Sequence, residues 1–157
     1  MIVKVCGMRD ADNILALNKL GVDWIGFIFY QGSPRYVPDS DEFYDAVQTC
    51  TKTKAGVFVN EKTSEILRTF AKYKLNYVQL HGDETPDFCF RLRQAGCRII
   101  KSFSISSESD LLQTEAYEPY SDFFLFDAKG CQRGGTGARF DWSILKAYGG
   151  NIPFLLS

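Results

Sequence analysis

The sequence predicts an α/β fold with a parallel sheet, on two observations. Seven short apolar runs, rich in β-branched and aromatic residues, recur at 2–6, 23–29, 55–59, 76–80, 98–103, 123–126 and 153–156. Such near-continuous runs are typical of strands buried on both faces. Segments with helical periodicity lie between the runs, and strict alternation of strand and helix favours a parallel sheet with right-handed crossovers.

The first two helices are predicted to follow the first two strands. Asp10 can cap a helix that ends near Gly21 and buries one apolar face, formed by Ile14, Leu17 and Leu20. Ser40 can cap the second helix, whose first turn carries acids that the helix dipole favours. One face of this helix is expected to pack a thiol among apolar side chains: Phe43, Ala46, Val47 and Cys50.

The remaining helices have weaker but recognisable signals. The third is marked by the spacing of Ile66, Leu67 and Phe70. Thr85 can cap the fourth, with Pro86 at its first position and Gly96 at its end. Segments 107–116 and 142–148 complete the set, so the pattern is six strand–helix units and a seventh strand with no dividing linker.

Composition argues against several classes of protein. Eighteen Lys and Arg against 19 Asp and Glu give a net charge of −1, so no electrostatic footprint for nucleic acid or an anionic membrane is expected. No apolar run approaches the ~20 residues that span a bilayer, and the first residues lack the features of a signal peptide. The five cysteines form no C-x-x-C pair, which predicts neither a disulfide framework nor a zinc site. We therefore expect the reducing cytoplasm.

Length bears on the type of parallel sheet. A complete eight-stranded α/β barrel usually needs about 250 residues and rarely fewer than about 200. The 157 residues of this chain therefore favour an open, doubly wound sheet, although alternation alone fits both architectures. In either one, ligands bind beyond the carboxyl ends of the strands, so the reactive side chains should be sought there.

Four reactive side chains come after predicted strand ends: Cys6, Arg35, His81 and Asp127. Their common position at the carboxyl ends of the strands, along one rim of the sheet, predicts a ligand-binding site. Such residue types also have structural explanations. A strand-end cysteine is commonly a core residue, and an aspartate after a strand commonly caps the next turn or helix. The single histidine fits a structural role nearly as well. Asn60 and Gln79 are weaker candidates at the same rim.

A glycine-rich segment comes after the sixth predicted strand. Its residues 134–137 lack the G-K-[ST] ending of a phosphate-binding loop and the spacing of a dinucleotide-binding loop. Gly134 and Gly135 better suit a loop that closes over a ligand, the alternative being a plain surface loop.

Eight segments together resemble phosphoribosylanthranilate isomerase. They are KVCGM (4–8), GFIFY (26–30), SPRY (33–36), GVFVN (56–60), VQLHGDE (78–84), FDAK (126–129), GGTG (134–137) and FDW (140–142). The resemblance implies a (βα)8 TIM barrel of which this chain covers six βα units plus strand seven. It also implies an Amadori rearrangement in tryptophan biosynthesis, acting on a phosphosugar–anthranilate substrate without metal or organic cofactor.

The resemblance also suggests roles for the strand-end residues. It makes Asp127 the general acid and Cys6 the general base, and it assigns substrate binding to Arg35, His81, Gly134 and Gly135. At about pH 7 an ordinary aspartic acid is only about 0.1% protonated, and an ordinary cysteine is only about 3% thiolate. We hypothesise that the two groups are coupled, because a thiolate disfavours a second negative charge nearby and leaves one acid and one base.

The family pattern continues after strand seven with a helix, an eighth strand and a last helix, and its last two strand-end loops usually hold the substrate phosphate. Residues 1–157 are therefore expected to form a single incomplete barrel domain, part of a longer isomerase. One alternative is an inactive fragment that needs a partner or the missing segment. Another is a related sugar-phosphate barrel enzyme, such as the histidine-pathway isomerase or indole-glycerol-phosphate synthase, which the pairing of Cys6 with Asp127 disfavours. The oligomeric state stays open.

Overall fold

The computed structural model describes residues 1–128 and 141–157. Within them, seven strands form one sheet whose spatial order is the chain order. Every neighbouring pair is parallel. The strands are β1 (Lys4–Cys6), β2 (Trp24–Ile28), β3 (Thr53–Phe58), β4 (Tyr77–Leu80), β5 (Ile99–Ile105), β6 (Phe123–Ala128) and β7 (Phe154–Leu156).

The strand order distinguishes a barrel from an open sheet. A doubly wound sheet reverses its direction at a switch point, so strands consecutive in the chain are not all neighbours. Here all seven strands succeed one another around a single curled sheet, as in part of a (βα)8 barrel. The predicted barrel class is confirmed, and the open sheet favoured by length is wrong. Length limits the number of βα units, whereas the direction of winding is set by how each unit packs on the last.

In the part of the chain that the structure describes, four α-helices and two 3₁₀ helices lie between the strands. They are α1 (Ala11–Leu17), α2 (Asp41–Thr49), α3 (Thr63–Tyr73), α4 (Pro86–Gln94) and the 3₁₀ helices Glu108–Tyr120 and Trp142–Ala147. The predicted caps are confirmed, because the side chains of Asp10, Ser40 and Thr85 each accept a hydrogen bond from the first turn of the helix. None of the helices in the described residues is long and apolar enough to cross a membrane.

The predicted end of the first helix is wrong. α1 ends at Leu17, so Leu20 lies in the next turn with 56% of its surface exposed instead of in the core. The side chain of Asn18 accepts a hydrogen bond from the Thr51 backbone N–H at 3.1 Å. This tertiary contact just past α1 has no signal in the local periodicity.

The inner face of the sheet is closed by aromatic side chains at the amino ends of the strands. The rings of Trp24 and Tyr77 stack with centroids 4.6 Å apart, and Phe123 meets Trp24 edge-on. Ala55 and Ile100 complete this buried layer. This apolar layer fills the inner face near the amino ends of the strands. The polar residues further along the same strands therefore lie nearer the carboxyl ends.

Candidate active site

A cavity of about 760 Å³ opens on the inner face of the sheet. Four residues predicted from the strand ends line it together: Cys6, Arg35, His81 and Asp127. The structure therefore assembles these residues from the ends of β1, β4 and β6 and from the loop after β2. Gly134 and Gly135 lie outside the described residues.

The thiol of Cys6 is positioned by a glycine on the neighbouring strand. β1 pairs with β2 so that Cys6 faces Gly26. A Cβ atom at Gly26 would lie 2.6 Å from Cys6 Sγ, closer than atoms can approach, so a larger residue there would displace the thiol. The chain then turns at Gly7, whose φ of +87° is readily adopted only by glycine and whose N–H donates to the Gly26 carbonyl at 2.9 Å.

Arg35 reaches the same rim because the loop after β2 folds back on its own strand. The Val37 N–H donates to the Ile28 carbonyl at 3.0 Å, which anchors the loop beside the end of β2. From there Arg35 Nη1 donates to the Cys6 carbonyl oxygen at 3.2 Å. A guanidinium carries five N–H donors in a planar fork, so this contact leaves donor capacity suited to a carboxylate beside Cys6.

His81 and Asp127 face each other across the cavity wall. His81 Nε2 lies 3.7 Å from Asp127 Oδ2, and their side chains are 23% and 16% exposed. On the other side of the ring, Gln79 Nε2 lies 3.1 Å from His81 Nδ1. Lys4 Nζ donates to Gln79 Oε1 at 2.8 Å. The imidazole is thus held between a polar network and the carboxyl group.

Lys4 was not among the sequence candidates, and Gln79 was only a weak one. Both line the cavity. The available signal was the period of two along a strand, which places Lys4 on the same face as Cys6 and Gln79 on the same face as His81. The other weak candidate, Asn60, does not line this cavity. Its side-chain Oδ1 instead accepts a hydrogen bond from the Asp83 backbone N–H at 2.8 Å, which holds the loop after β4.

A buried ion pair supports the loop after His81. Lys101 Nζ lies 3.0 Å from Glu84 Oε2, with side chains only 3% and 2% exposed, and it donates to the Gly82 carbonyl at 2.7 Å. The Glu84 carboxylate accepts from the backbone N–H groups of Gly82 and Asn60. The segment between β4 and α4 is therefore tied to β3 and β5 by a desolvated charge pair.

The environments of the thiols predict selective alkylation. Burial raises the pKa of Cys89 and of Cys97 to about 11, whereas Cys6 is partly exposed at the cavity. We expect iodoacetamide at about pH 8 to modify Cys6 well before Cys89 or Cys97, because only an accessible thiolate reacts. Peptide mass spectrometry of the native protein measures this order, with the urea-unfolded protein as control. Equal labelling of all three native thiols would contradict it.

Comparisons with known proteins agree on one family. Residues 3–156 match the family model of N-(5'phosphoribosyl)anthranilate (PRA) isomerase. The chain is 48% identical over 157 residues to N-(5'-phosphoribosyl)anthranilate isomerase of Phocaeicola vulgatus, covering 100% of this chain and 75% of that protein.

Solved structures show the same similarity. The crystal structure of phosphoribosyl anthranilate isomerase from Thermotoga maritima matches 100% of this chain and 77% of its own chain, with a TM-score of 0.85 and 31% identity. A second isomerase structure, in complex with reduced 1-(o-carboxyphenylamino)-1-deoxyribulose 5-phosphate, matches 94% of this chain and 70% of its own, with a TM-score of 0.79 and 30% identity. The predicted resemblance is confirmed: the chain belongs to the N-(5'-phosphoribosyl)anthranilate isomerase family.

Proposed function

We propose that the cavity catalyses the Amadori rearrangement of N-(5'-phosphoribosyl)anthranilate to 1-(2-carboxyphenylamino)-1-deoxyribulose 5-phosphate. The observation that carries this is the convergence of Cys6, Arg35, His81 and Asp127 on one cavity in a chain of this family. The related structure that holds the reduced product gives the substrate class. Relatives that carry one enzyme name over the whole chain favour the isomerase over an inactive fragment.

The reaction is an isomerisation, so the product contains the same atoms as the substrate. It needs one acid and one base to move protons. Protonation of the furanose ring oxygen breaks its bond to C1′ and leaves a Schiff base. Removal of the C2′ proton then gives an enolamine, which tautomerises to the ketone. We assign the first step to the Asp127 carboxyl and the second to the Cys6 thiolate. Both stand at strand ends, where a rigid scaffold can maintain general acid–base geometry.

Turnover of the substrate tests the function directly. Anthranilate-derived fluorescence of phosphoribosylanthranilate is lost as the aminoketose forms, so a fluorescence decrease on adding the purified protein is the expected result. An intact mass measured on the same sample records which polypeptide gives the activity. A protein that binds the reduced product but leaves the substrate fluorescence unchanged would refute the proposed catalysis.

Arg35 is proposed to bind the anthranilate carboxylate. We expect Arg35→Met to raise KM roughly 10- to 150-fold, the equivalent of the 1.5–3 kcal/mol that a hydrogen bond to a charged group contributes. kcat should change less, because the carboxylate keeps its charge through the reaction. Arg91→Met, on the exposed face of α4, is the matched control. Equal KM values for the two variants would remove Arg35 from the substrate site.

The cytoplasm is the compartment we propose for this activity. The four described cysteines are free thiols, as a reducing compartment favours. The proposed partner is a small phosphosugar–anthranilate molecule and not a nucleic acid or a membrane, since a net charge of −1 provides little attraction to either polyanion.

A further inference from the structure

A continuous line of polar contacts crosses the inner face of the sheet below the reacting groups. Lys4 Nζ lies 2.8 Å from Gln79 Oε1, and Gln79 Nε2 lies 3.1 Å from His81 Nδ1. The same amide nitrogen donates to Ser102 Oγ at 3.3 Å. His81 Nε2 then points to Asp127 Oδ2 at 3.7 Å. The line joins β1, β4, β5 and β6 and ends at the proposed acid.

Lys4 determines which way the amide of Gln79 points. An ammonium group donates hydrogen bonds and accepts none, so the Gln79 atom that faces it must be the carbonyl oxygen. The two N–H bonds of the amide then face His81 and Ser102, both of which can accept. Because Gln79 is only 2% exposed, rotation of the amide would lose these partners with little water to replace them.

The orientation of the amide determines the tautomer of His81. Nδ1 receives an N–H from Gln79 and must therefore carry a lone pair. In the neutral imidazole the ring proton then resides on Nε2, the nitrogen nearer Asp127. The opposite tautomer would set two N–H groups against each other at 3.1 Å.

We propose that Lys4 and Gln79 are positioning residues that hold His81 as the Nε2–H tautomer, with its donor directed at Asp127. The catalytic consequence rests on the proposed function. When Asp127 transfers its proton to the sugar ring oxygen, a carboxylate remains, and the His81 N–H is positioned to stabilise it. The observed 3.7 Å is just beyond hydrogen-bond range, and an approach of roughly 0.7 Å would bring the pair to the usual distance.

The protein is well suited to a direct test, since His81 is its only histidine. Labelling with ¹⁵N-histidine gives signals from one imidazole, and a long-range proton–nitrogen correlation identifies which ring nitrogen is protonated. The expected result for the unmodified protein, whenever the ring is neutral, is a protonated Nε2 and a bare Nδ1. A neutral ring protonated on Nδ1 would overturn the proposal without any variant.

Gln79→Glu replaces the N–H donor that faces His81 Nδ1 with a hydrogen-bond acceptor, in a side chain of nearly the same shape. A carboxylate beside His81 accepts where the amide donated, so we expect Nδ1 to gain a proton in this variant. Gln48→Glu is the matched control, because Gln48 lies on α2 and contacts the Lys72 carbonyl, away from the cavity. A folded Gln79→Glu protein that keeps a bare Nδ1, or a Gln48→Glu protein that protonates it, would also overturn the proposal.

Kinetics give a second measurement. We expect Gln79→Glu to lower kcat roughly 10- to 100-fold, the loss seen when residues that orient metal-bound histidines are removed. KM should change much less, since Gln79 acts through His81 rather than by holding substrate. A change in KM alone would contradict positioning of the acid. Failure of the proposed function would instead appear as absent turnover in the unmodified protein, with the tautomer result unaffected.

Discussion

Asp127→Asn is expected to lower kcat by about 10²- to 10⁴-fold, the range that a positioned general acid or base contributes. Asparagine preserves the size of the side chain and the hydrogen-bonding shape at the end of β6, but it has no proton to give to the furanose oxygen. Ring opening, the first step, would then depend on water. Turnover is measured by the loss of substrate fluorescence.

The control must separate lost chemistry from a damaged site. Asp45→Asn removes a carboxylate from the exposed surface of α2 and should leave kcat unchanged. Binding of the reduced product by Asp127→Asn should stay within about tenfold of the unmodified protein, because the scaffold is intact. An Asp127→Asn protein that turns over within twofold of the original would eliminate the assigned acid.

The alternation of strands and helices was predictable because the apolar runs and the helix caps both indicate the same order of elements. Buried parallel strands read as apolar runs, and capping residues such as Ser40 and Thr85 act through contacts only three residues away. The winding of the sheet was not predictable from alternation, since every βα unit satisfies the same handedness rule in a barrel and in an open sheet. Leu20 was misplaced for a related reason: Thr51, over 30 residues away, contacts the chain just past the end of α1.

The reacting groups were predictable, but of the two residues that hold His81, Gln79 was only a weak candidate and Lys4 was not identified. The carboxyl-end rule locates Cys6 and Asp127 from their positions after strands. Lys4 lies two residues before Cys6, and Gln79 lies two residues before His81, so the period of two along a strand indicates the face of each residue but not its partner. Their contact joins β1 to β4, which are not neighbours in the sheet. Only the curvature of the sheet brings them together.

The pair Lys101–Glu84 is the most desolvated charge interaction among the described residues, and it was invisible in the sequence. We expect Lys101→Met to lower the free energy of unfolding by about 3–5 kcal/mol, the usual cost of leaving one member of a buried ion pair uncompensated. The remaining Glu84 carboxylate would keep its backbone N–H donors but lose its cation at 2% exposure. Urea unfolding, monitored by circular dichroism, measures the change.

A second substitution distinguishes the effect of an uncompensated Glu84 charge from a simple loss of packing at Lys101. Glu84→Gln in the Lys101→Met background removes the charge while its amide oxygen can still accept from the backbone, so part of the stability should return. The resulting coupling energy is expected to be about 0.5–3 kcal/mol. Replacing Arg91, whose ion pair with Asp87 is exposed, should cost about 0.5 kcal/mol or less. If the two buried substitutions were additive, the loss would come from packing, and the loop after His81 would not depend on the ion pair.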